Sequence, residues 1–445
     1  MDNTRDLALS MLMEILEKGT YSHLVIRDVL DKYDYSDSRD KAFVKRLVEG
    51  TLERLIQIDY VLNTFSSVPV SKMKPLIRNL LRMSVYQLLF MDSIPDSAVC
   101  NEAVKLAGKR GFRGLSGYVN GVLRSIARKK RQIIWPEKEP ESLSVRYSMP
   151  EWIVEFFLSC YGKETTEQIL AGSLREHPVT IRLSPEADET QKSQFLSALE
   201  QREVRVSRHP YLPYAFVISG IDKIRSLPGY EEGLFAVQDV SSMLAVEAAG
   251  IAPGDFVVDV CAAPGGKSML AAQKTGKEGR VLARDLTETK TALIRENAER
   301  LKLSQVEIQM YDALSFDPSL KEKADVVLAD LPCSGLGIMG RKRDIKYKVT
   351  KDGMKEIAKL QRNILEVIWQ YVRPGGVLLY STCTIDPEEN EEQVKLFLED
   401  HPFRLEELSP FMPGQLQKEG KTGMLQLLPG KHETDGFFIA RMVRK

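Results

Sequence analysis

The 445-residue chain lacks several things that would fix its class at once. No apolar run approaches the length needed to span a bilayer, so a membrane-embedded protein is not expected. Its opening residues pass directly into an amphipathic pattern without an apolar signal core, which places the expectation in the cytoplasm. Only five cysteines occur (Cys100, Cys160, Cys261, Cys333 and Cys383), an odd and sparse set that is no disulfide framework. With no CxxC pair and five histidines, no metal site is expected. Net charge is +0, so total charge excludes neither nucleic acid nor protein partners. Internal repeats and low-complexity tracts are also missing.

What is present is a chain too long for one ordinary core, with 43% hydrophobic and 28% charged residues. From Thr4 to about Arg131 apolar residues recur at three- and four-residue spacing, as in Leu76, Leu80, Leu81, Val85 and Leu88. That spacing predicts an all-helical domain over 1–135 with five to seven helices. Between Asn101 and Trp135 nine basic residues face a single acidic one, Glu102, which suits a polyanion. Pro136 to Pro140 is a charged, proline-bearing linker. Over 136–233 helical and strand-like segments mix into a small α+β module, with strands at Val179–Leu183, Val204–Ser207 and Phe216–Ser219 and helices at Pro150–Arg175 and about Asp188–Glu200. From 234 to 445 short apolar strands alternate with helices, the pattern of a parallel sheet covered on both faces. The strands are Phe256–Val260, Val281–Asp285, Val306–Met310, Asp325–Ala329 and Val377–Tyr380, with Phe437–Ala440 as a last, antiparallel one.

In such a sheet ligands bind beyond the carboxyl ends of the strands. The glycine-bearing turn Asp259-Val-Cys-Ala-Ala-Pro-Gly-Gly-Lys267 falls there. It has neither the GxxxxGK[ST] spacing of a phosphate cradle nor the GxGxxG of a dinucleotide fold. Asp285, Asp312 and Asp330 end or follow the next three strands. Acidic strand ends behind a glycine turn suit an adenosine ligand without a phosphate chain, and S-adenosylmethionine is such a ligand.

Cys333, in Asp330-Leu-Pro-Cys-Ser-Gly335, and Cys383, in Ser381-Thr-Cys-Thr384, also follow strands and should project into the same crevice. Carbon 5 of cytosine is a poor nucleophile until a thiolate adds to carbon 6. Two cysteines, one adding and one helping release, fit that chemistry. Lys267 is placed to help a thiol ionise, and Asp330 to contact ring nitrogen 3.

These motifs, with Gln238-Asp-Val-Ser-Ser242, Pro387 to Glu391 and Asp435-Gly-Phe-Phe438, closely resemble the Fmu/Sun family of RNA cytosine-5 methyltransferases. The amino-terminal part, through Tyr118-Val-Asn-Gly-Val-Leu-Arg124, resembles the NusB RNA-binding fold. The resemblance implies a NusB-like helical domain, a small α+β module for RNA recognition, and a Rossmann-like class I methyltransferase domain. It implies that Cys261, Ala262, Ala263, Pro264, Gly265, Gly266 and Lys267 line S-adenosylmethionine, with Asp285, Asp312 and Asp330. Cys383 would be the nucleophile and Cys333 would assist proton removal and release. The implied partner is 16S rRNA, with tRNA the nearest competitor. An RNA-binding assembly factor with an idle fold is the other class.

Three smaller expectations complete the reading. Arg341-Lys-Arg343, Lys346, Tyr347 and Lys348 suit phosphate contact and base stacking near the pocket. Glu388 to Glu391 are read as the acidic start of a helix, with Asn390 as a residue that orients the Cys383 loop. Gly340 and Arg343 depart from the family pattern, which has Arg and Pro there, as do Leu331 for Ala and Ser184 for Asn.

Overall fold

A computed structural model describes residues 4–32, 38–185, 187–221 and 223–445. The chain divides into two compact units, one of residues 1–175 with 339–348, the other of 176–338 with 349–445.

The first unit opens with seven helices, Thr4–Glu17, Ser22–Lys32, Ser38–Glu53, Leu55–Phe65, Pro75–Phe90, Asp96–Lys109 and Ser116–Lys129. Their apolar stripes meet in one core, where Leu12, Leu47, Leu80, Leu81 and Leu123 are wholly buried. Helices Ser38–Glu53 and Pro75–Phe90 pack so closely that a Cβ on Gly50 would fall inside the Tyr86 ring. Helices Glu141–Tyr147 and Glu151–Gly172 follow and belong to the same unit. The boundary therefore falls after Arg175, beyond the proline-bearing linker.

The basic segment after the Pro-Cys loop does not form an open RNA-contacting surface. Helix Ser38–Glu53 ends with carbonyls that have no partner within it, and Met339–Lys348 supplies donors for them. Lys346 Nζ donates to the carbonyls of Glu53 (2.8 Å) and Ser148 (2.6 Å), and Tyr347 Oη to that of Leu52 (2.8 Å). Arg343 pairs with Glu49 (3.1 Å) and Glu53 (3.0 Å). The Asp344 carboxylate accepts from Ser22 N (3.0 Å) and Oγ (2.5 Å). Lys346 is buried, and burial lowers its pKa to about 7. A neutral amine has two N–H groups, one for each carbonyl. Of this stretch only Arg341 and Lys342 stay exposed. Charge in the sequence suggested solvent; helix-end carbonyls claimed the side chains instead.

In the second unit, strands β1 (Val179–Leu183), β2 (Arg205–Arg208), β3 (Ala215–Ser219) and β4 (Phe235–Val237) form an antiparallel sheet ordered β2-β3-β1-β4. Its helix, Glu189–Glu200, begins with a capping box made by Asp188 and Gln191. The larger sheet holds β5 (Phe256–Asp259), β6 (Arg280–Asp285), β7 (Val306–Met310), β8 (Ala324–Asp330), β9 (Val372–Thr382), β10 (Phe403–Leu405), β11 (Met424–Leu427) and β12 (Phe437–Arg444). Its order is β10-β12-β9-β8-β5-β6-β7, with β11 paired to β12. β5 to β9 are parallel and β12 runs against β9.

Successive strand residues point to opposite faces, and both faces are covered. Val257, Val281 and Val326 pack with Met243, Leu244, Met269 and Ile294 from helices on one side. Val258, Val327, Leu378 and Tyr380 pack with Ile364, Leu365, Val394 and Phe397 from the other. This explains the uninterrupted apolar strands. The chain leaves β5 outward through β6 and β7, then returns to β8 on the other flank. The strand order thus reverses between β5 and β8, where a crevice opens at their carboxyl ends.

Candidate active site

The turn after β5 forms one wall of that crevice. Gly265 adopts φ +104°, a conformation that L side chains rarely take, and helix Gly266–Thr275 starts behind it. Three amides of the turn are already engaged. Ala262 N donates to the Arg284 carbonyl (2.8 Å), Gly265 N to that of Ala262 (2.7 Å), and Ala263 N to Asp285 Oδ2 (3.0 Å). A phosphate cradle would need such donors free. Pro264 presents its carbonyl to the Asn297 amide (3.0 Å).

Asp285 also accepts from Leu286 N (2.8 Å) and pairs with Lys290 (2.9 Å). A carboxylate offers about four acceptor positions, so with three donors already in place one position remains for a ribose hydroxyl. Asp312 is exposed after β7. The exposed apolar side chains of Leu286, Met310 and Leu314 stand at these same strand ends, a surface for a flat purine that the sequence analysis did not single out. Acceptors, apolar flank and an occupied amide loop together fit an adenosine-type ligand without phosphates. Asp259 lies beneath the turn, fully buried, accepting from Ser268 Oγ (2.6 Å), and burial pushes its carboxyl up to about 7. The Cys261 thiol is raised by burial and by Asp259, Asp285 and Asp330 nearby.

The opposite wall carries the two loops with cysteines. Cys333 and Cys383 meet with their sulfurs 3.2 Å apart. The hydrogen bond to Cys383, together with burial, holds the Cys333 thiol well above its ordinary range. Either sulfur can donate the S–H in this contact. Beside them Lys267 Nζ donates to Asp330 Oδ2 (2.7 Å) and Ser242 Oγ (3.2 Å), while Asp330 Oδ1 accepts from Ser381 Oγ (2.9 Å). Burial alone would lower the Lys267 pKa, but Asp330, Asp259 and Cys383 raise it instead. The structure thus brings Cys333 to Cys383 and Lys267 to Asp330. Asp312 stands apart on the cofactor side, at the end of β7.

Backbone packing explains two further motifs. Gly337 N donates to the Cys383 carbonyl (3.1 Å), and Gly436 N to the Gly337 carbonyl (2.9 Å). A Cβ on Gly337 would lie 2.1 Å from the Gly436 oxygen, and one on Gly436 would lie 2.6 Å from Gly337 Cα, so both positions require glycine where Asp435-Gly meets the Cys loops. Gln238 accepts from the buried Arg182 (2.9 Å), and Asp239 caps the helix that carries Ser242. Burial lowers the Arg182 pKa to about 10.

The sequence was compared with those of known proteins. A model of the "16S rRNA methyltransferase RsmB/F" family matches residues 248–443, the NusB family matches 2–128, and the RsmF/B-like ferredoxin-like domain matches 149–224. The probable ribosomal RNA small subunit methyltransferase B of Bacillus subtilis (strain 168) is 35% identical over 100% of this chain and 99% of its own. The chain belongs to the RsmB/F methyltransferase family. The ribosomal RNA small subunit methyltransferase B of Cronobacter sakazakii is 31% identical, over 100% of this chain and 99% of its own. Among solved structures, the crystal structure of PH0851 aligns with TM-score 0.82 at 27% identity, covering 100% of this chain and 99% of that one. A methyltransferase homolog protein from Pyrococcus horikoshii aligns with TM-score 0.57 at 28% identity, over 68% of this chain and 98% of its own. As an RsmB/F member the chain is a small-subunit rRNA methyltransferase, and its methyl donor is S-adenosylmethionine.

Proposed function

We propose that the chain methylates carbon 5 of a cytosine in 16S rRNA, with Cys383 as nucleophile and Cys333 as the group that resolves the adduct. The observation that carries this reading is the pair of sulfurs at 3.2 Å beside the Lys267–Asp330 ion pair. Methyl transfer to oxygen or nitrogen needs no such pair, because those atoms are already nucleophilic.

When bound, S-adenosylmethionine supplies an electrophilic methyl group. Cys261 to Lys267, Asp285, Asp312 and Asp330 would hold it. The protein's remaining work is on the base. A target inside a helix must be flipped out to reach Cys383. An S–H donated by Cys333 to Cys383 would favour the thiolate there over one at Cys333. The Cys383 sulfur adds to carbon 6, and the electron pair released toward carbon 5 makes that carbon nucleophilic. The Lys267 ammonium stabilises the negative charge that develops on the ring, and its proton can pass through Asp330 to nitrogen 3. After carbon 5 has taken its methyl, its proton must leave so that the carbon–sulfur bond breaks. By then Cys383 is a thioether. The charge that kept Cys333 protonated is gone, so Cys333 can lose its proton to water and accept the one from carbon 5.

The test is bisulfite sequencing of 16S rRNA incubated with S-adenosylmethionine and wild-type, Cys383→Ala or Cys333→Ala protein. One newly protected cytosine is expected with wild type and none with Cys383→Ala. Cys333→Ala should remain covalently attached to the RNA. Protection that survives in Cys383→Ala would overturn the assignment of the nucleophile. No protection at all, in protein that still binds S-adenosylmethionine, would redirect the reading to tRNA.

A further inference from the structure

The two cysteines are each held from behind by one residue of the Pro387–Glu391 segment, and the two grips are separate. Glu389 is fully buried. Its Oε2 accepts from Ser334 N (3.0 Å), the residue after Cys333, and from the Gln361 amide (2.9 Å). That same Gln361 nitrogen donates to the carbonyl of Pro332 (2.8 Å), the residue before Cys333. The single Tyr380 O–H lies within hydrogen-bond distance of both the Glu389 carbonyl (2.5 Å) and Gln361 Oε1 (3.2 Å), which ties it to both residues. The Cys333 loop is therefore clasped on either side of its sulfur.

Asn390, also buried, clasps the other loop. Its Oδ1 accepts from Thr382 Oγ1 (2.5 Å), before Cys383, and its Nδ2 donates to the Thr384 carbonyl (3.1 Å), after it. The amide is anchored in turn by Gln426 Oε1 (2.7 Å). Besides the sulfur contact, a side-chain link between Ser334 Oγ and Thr384 Oγ1 (2.7 Å) joins the two loops.

The hydrogen bonds of both residues go to groups flanking the cysteines rather than to the sulfurs. Each sets the place of one sulfur. We propose that Glu389 and Asn390 are positioning residues with divided labour: Asn390 places Cys383 for forming the adduct, and Glu389 places Cys333 for resolving it. This rests on the reading that Cys383 adds and Cys333 releases.

The two steps can be read separately. First-turnover methyl transfer reports adduct formation, steady-state turnover reports release, and an SDS-stable protein–RNA band reports the trapped intermediate. The substrate is 16S rRNA transcript with S-adenosylmethionine, and the full chain is used. Glu389→Ala removes the acceptor shared by Ser334 N and the Gln361 amide, which loosens the Cys333 loop. Its first turnover should stay close to that of wild type. Its steady-state rate should fall roughly 10- to 100-fold with a trapped band, since small misplacements of reacting groups carry such costs. Gln361→Met, which releases the Pro332 carbonyl, should show the same split. Asn390→Ala should lose first turnover by a similar factor and show no band. Parallel loss of both rates in every variant, accompanied by a lower melting temperature, would reduce the pair to a merely structural role and overturn the proposal. If Cys333→Ala itself traps no adduct, the assignment of the two sulfurs falls and takes the proposal with it. If Cys333→Ala traps and Glu389→Ala does not, the proposal alone falls.

Discussion

Lys267 is the cation of the ion pair at the strand ends, and Asp330 is its counterion. Replacing Lys267 with Met leaves the Asp330 carboxylate in a half-buried crevice with the Ser381 hydroxyl. Breaking such a pair by removing one partner costs about 3 kcal/mol or more, most of it from the charge left behind. Lys267→Met should therefore lower stability in denaturant unfolding and abolish methyl transfer. Lys267→Met with Asp330→Asn should recover most of the stability and none of the activity. Gly337→Ala is expected to be as damaging for a different reason. Its methyl group would strike the Gly436 carbonyl and the Cys383 carbonyl, so activity should be lost even if the variant folds, and near-native circular dichroism would show that it does. Among site residues, those in short motifs were legible because their chemistry is rare: two cysteines after strands, an Asp at a strand end. Glu389 was not. Its neighbours Glu388 and Glu391 made it look like the solvated start of a helix, whereas the helix begins at Glu391 and Glu389 is buried beneath the Cys333 loop.

Among helices and strands, the sequence disclosed what periodicity encodes. The seven amino-terminal helices, the parallel strands and the antiparallel β12 all follow from apolar spacing. β10 and β11 did not, because strands of three and four residues at a sheet's edge carry too little pattern. The Met339–Lys348 segment reads as an open basic loop in the sequence because charge identifies a side chain but not its acceptor. Lys346 offers a test. Folded, it loses its proton near pH 7; unfolded, near 10.5. Between those values the unfolded chain binds more protons, so this group makes stability rise with pH, by at most about 1.4 kcal/mol per pH unit. The stability difference between wild type and Lys346→Met should move in favour of wild type between about pH 7.5 and pH 9.5, as read by urea unfolding. A difference that stays flat would mean that the amine remains charged in its carbonyl cage.

For the molecule as a whole, the charge that the Met339–Lys348 segment withholds from RNA must come from elsewhere. Between Asn101 and Trp135, Lys109 and Arg110 pair with Asp6 and Lys130 pairs with Asp96, but Arg113, Arg124 and Arg128 remain exposed. Changing these three to Glu should weaken rRNA binding and flatten its salt dependence, the slope changing by about 1 for each phosphate that the protein no longer neutralises. Melting should barely move, because exposed substitutions shift stability by only about 0.5 kcal/mol each. Filter binding across a salt series would check this, and an unchanged slope would take this face out of the RNA interface. Among the described residues no helix is long and apolar enough to cross a membrane.

The first unit is assembled from two distant stretches of chain, and that has a consequence for its birth on the ribosome. When residue 175 has been synthesised, the carbonyls of Leu52, Glu53 and Ser148 still await Tyr347 and Lys346, more than 160 residues downstream. Translation must deliver nearly four-fifths of the protein before its opening domain is complete. An amino-terminal fragment ending at 175 should consequently be less stable than the same unit in the full chain. A synthetic peptide of residues 339–348 added in trans should restore part of the difference.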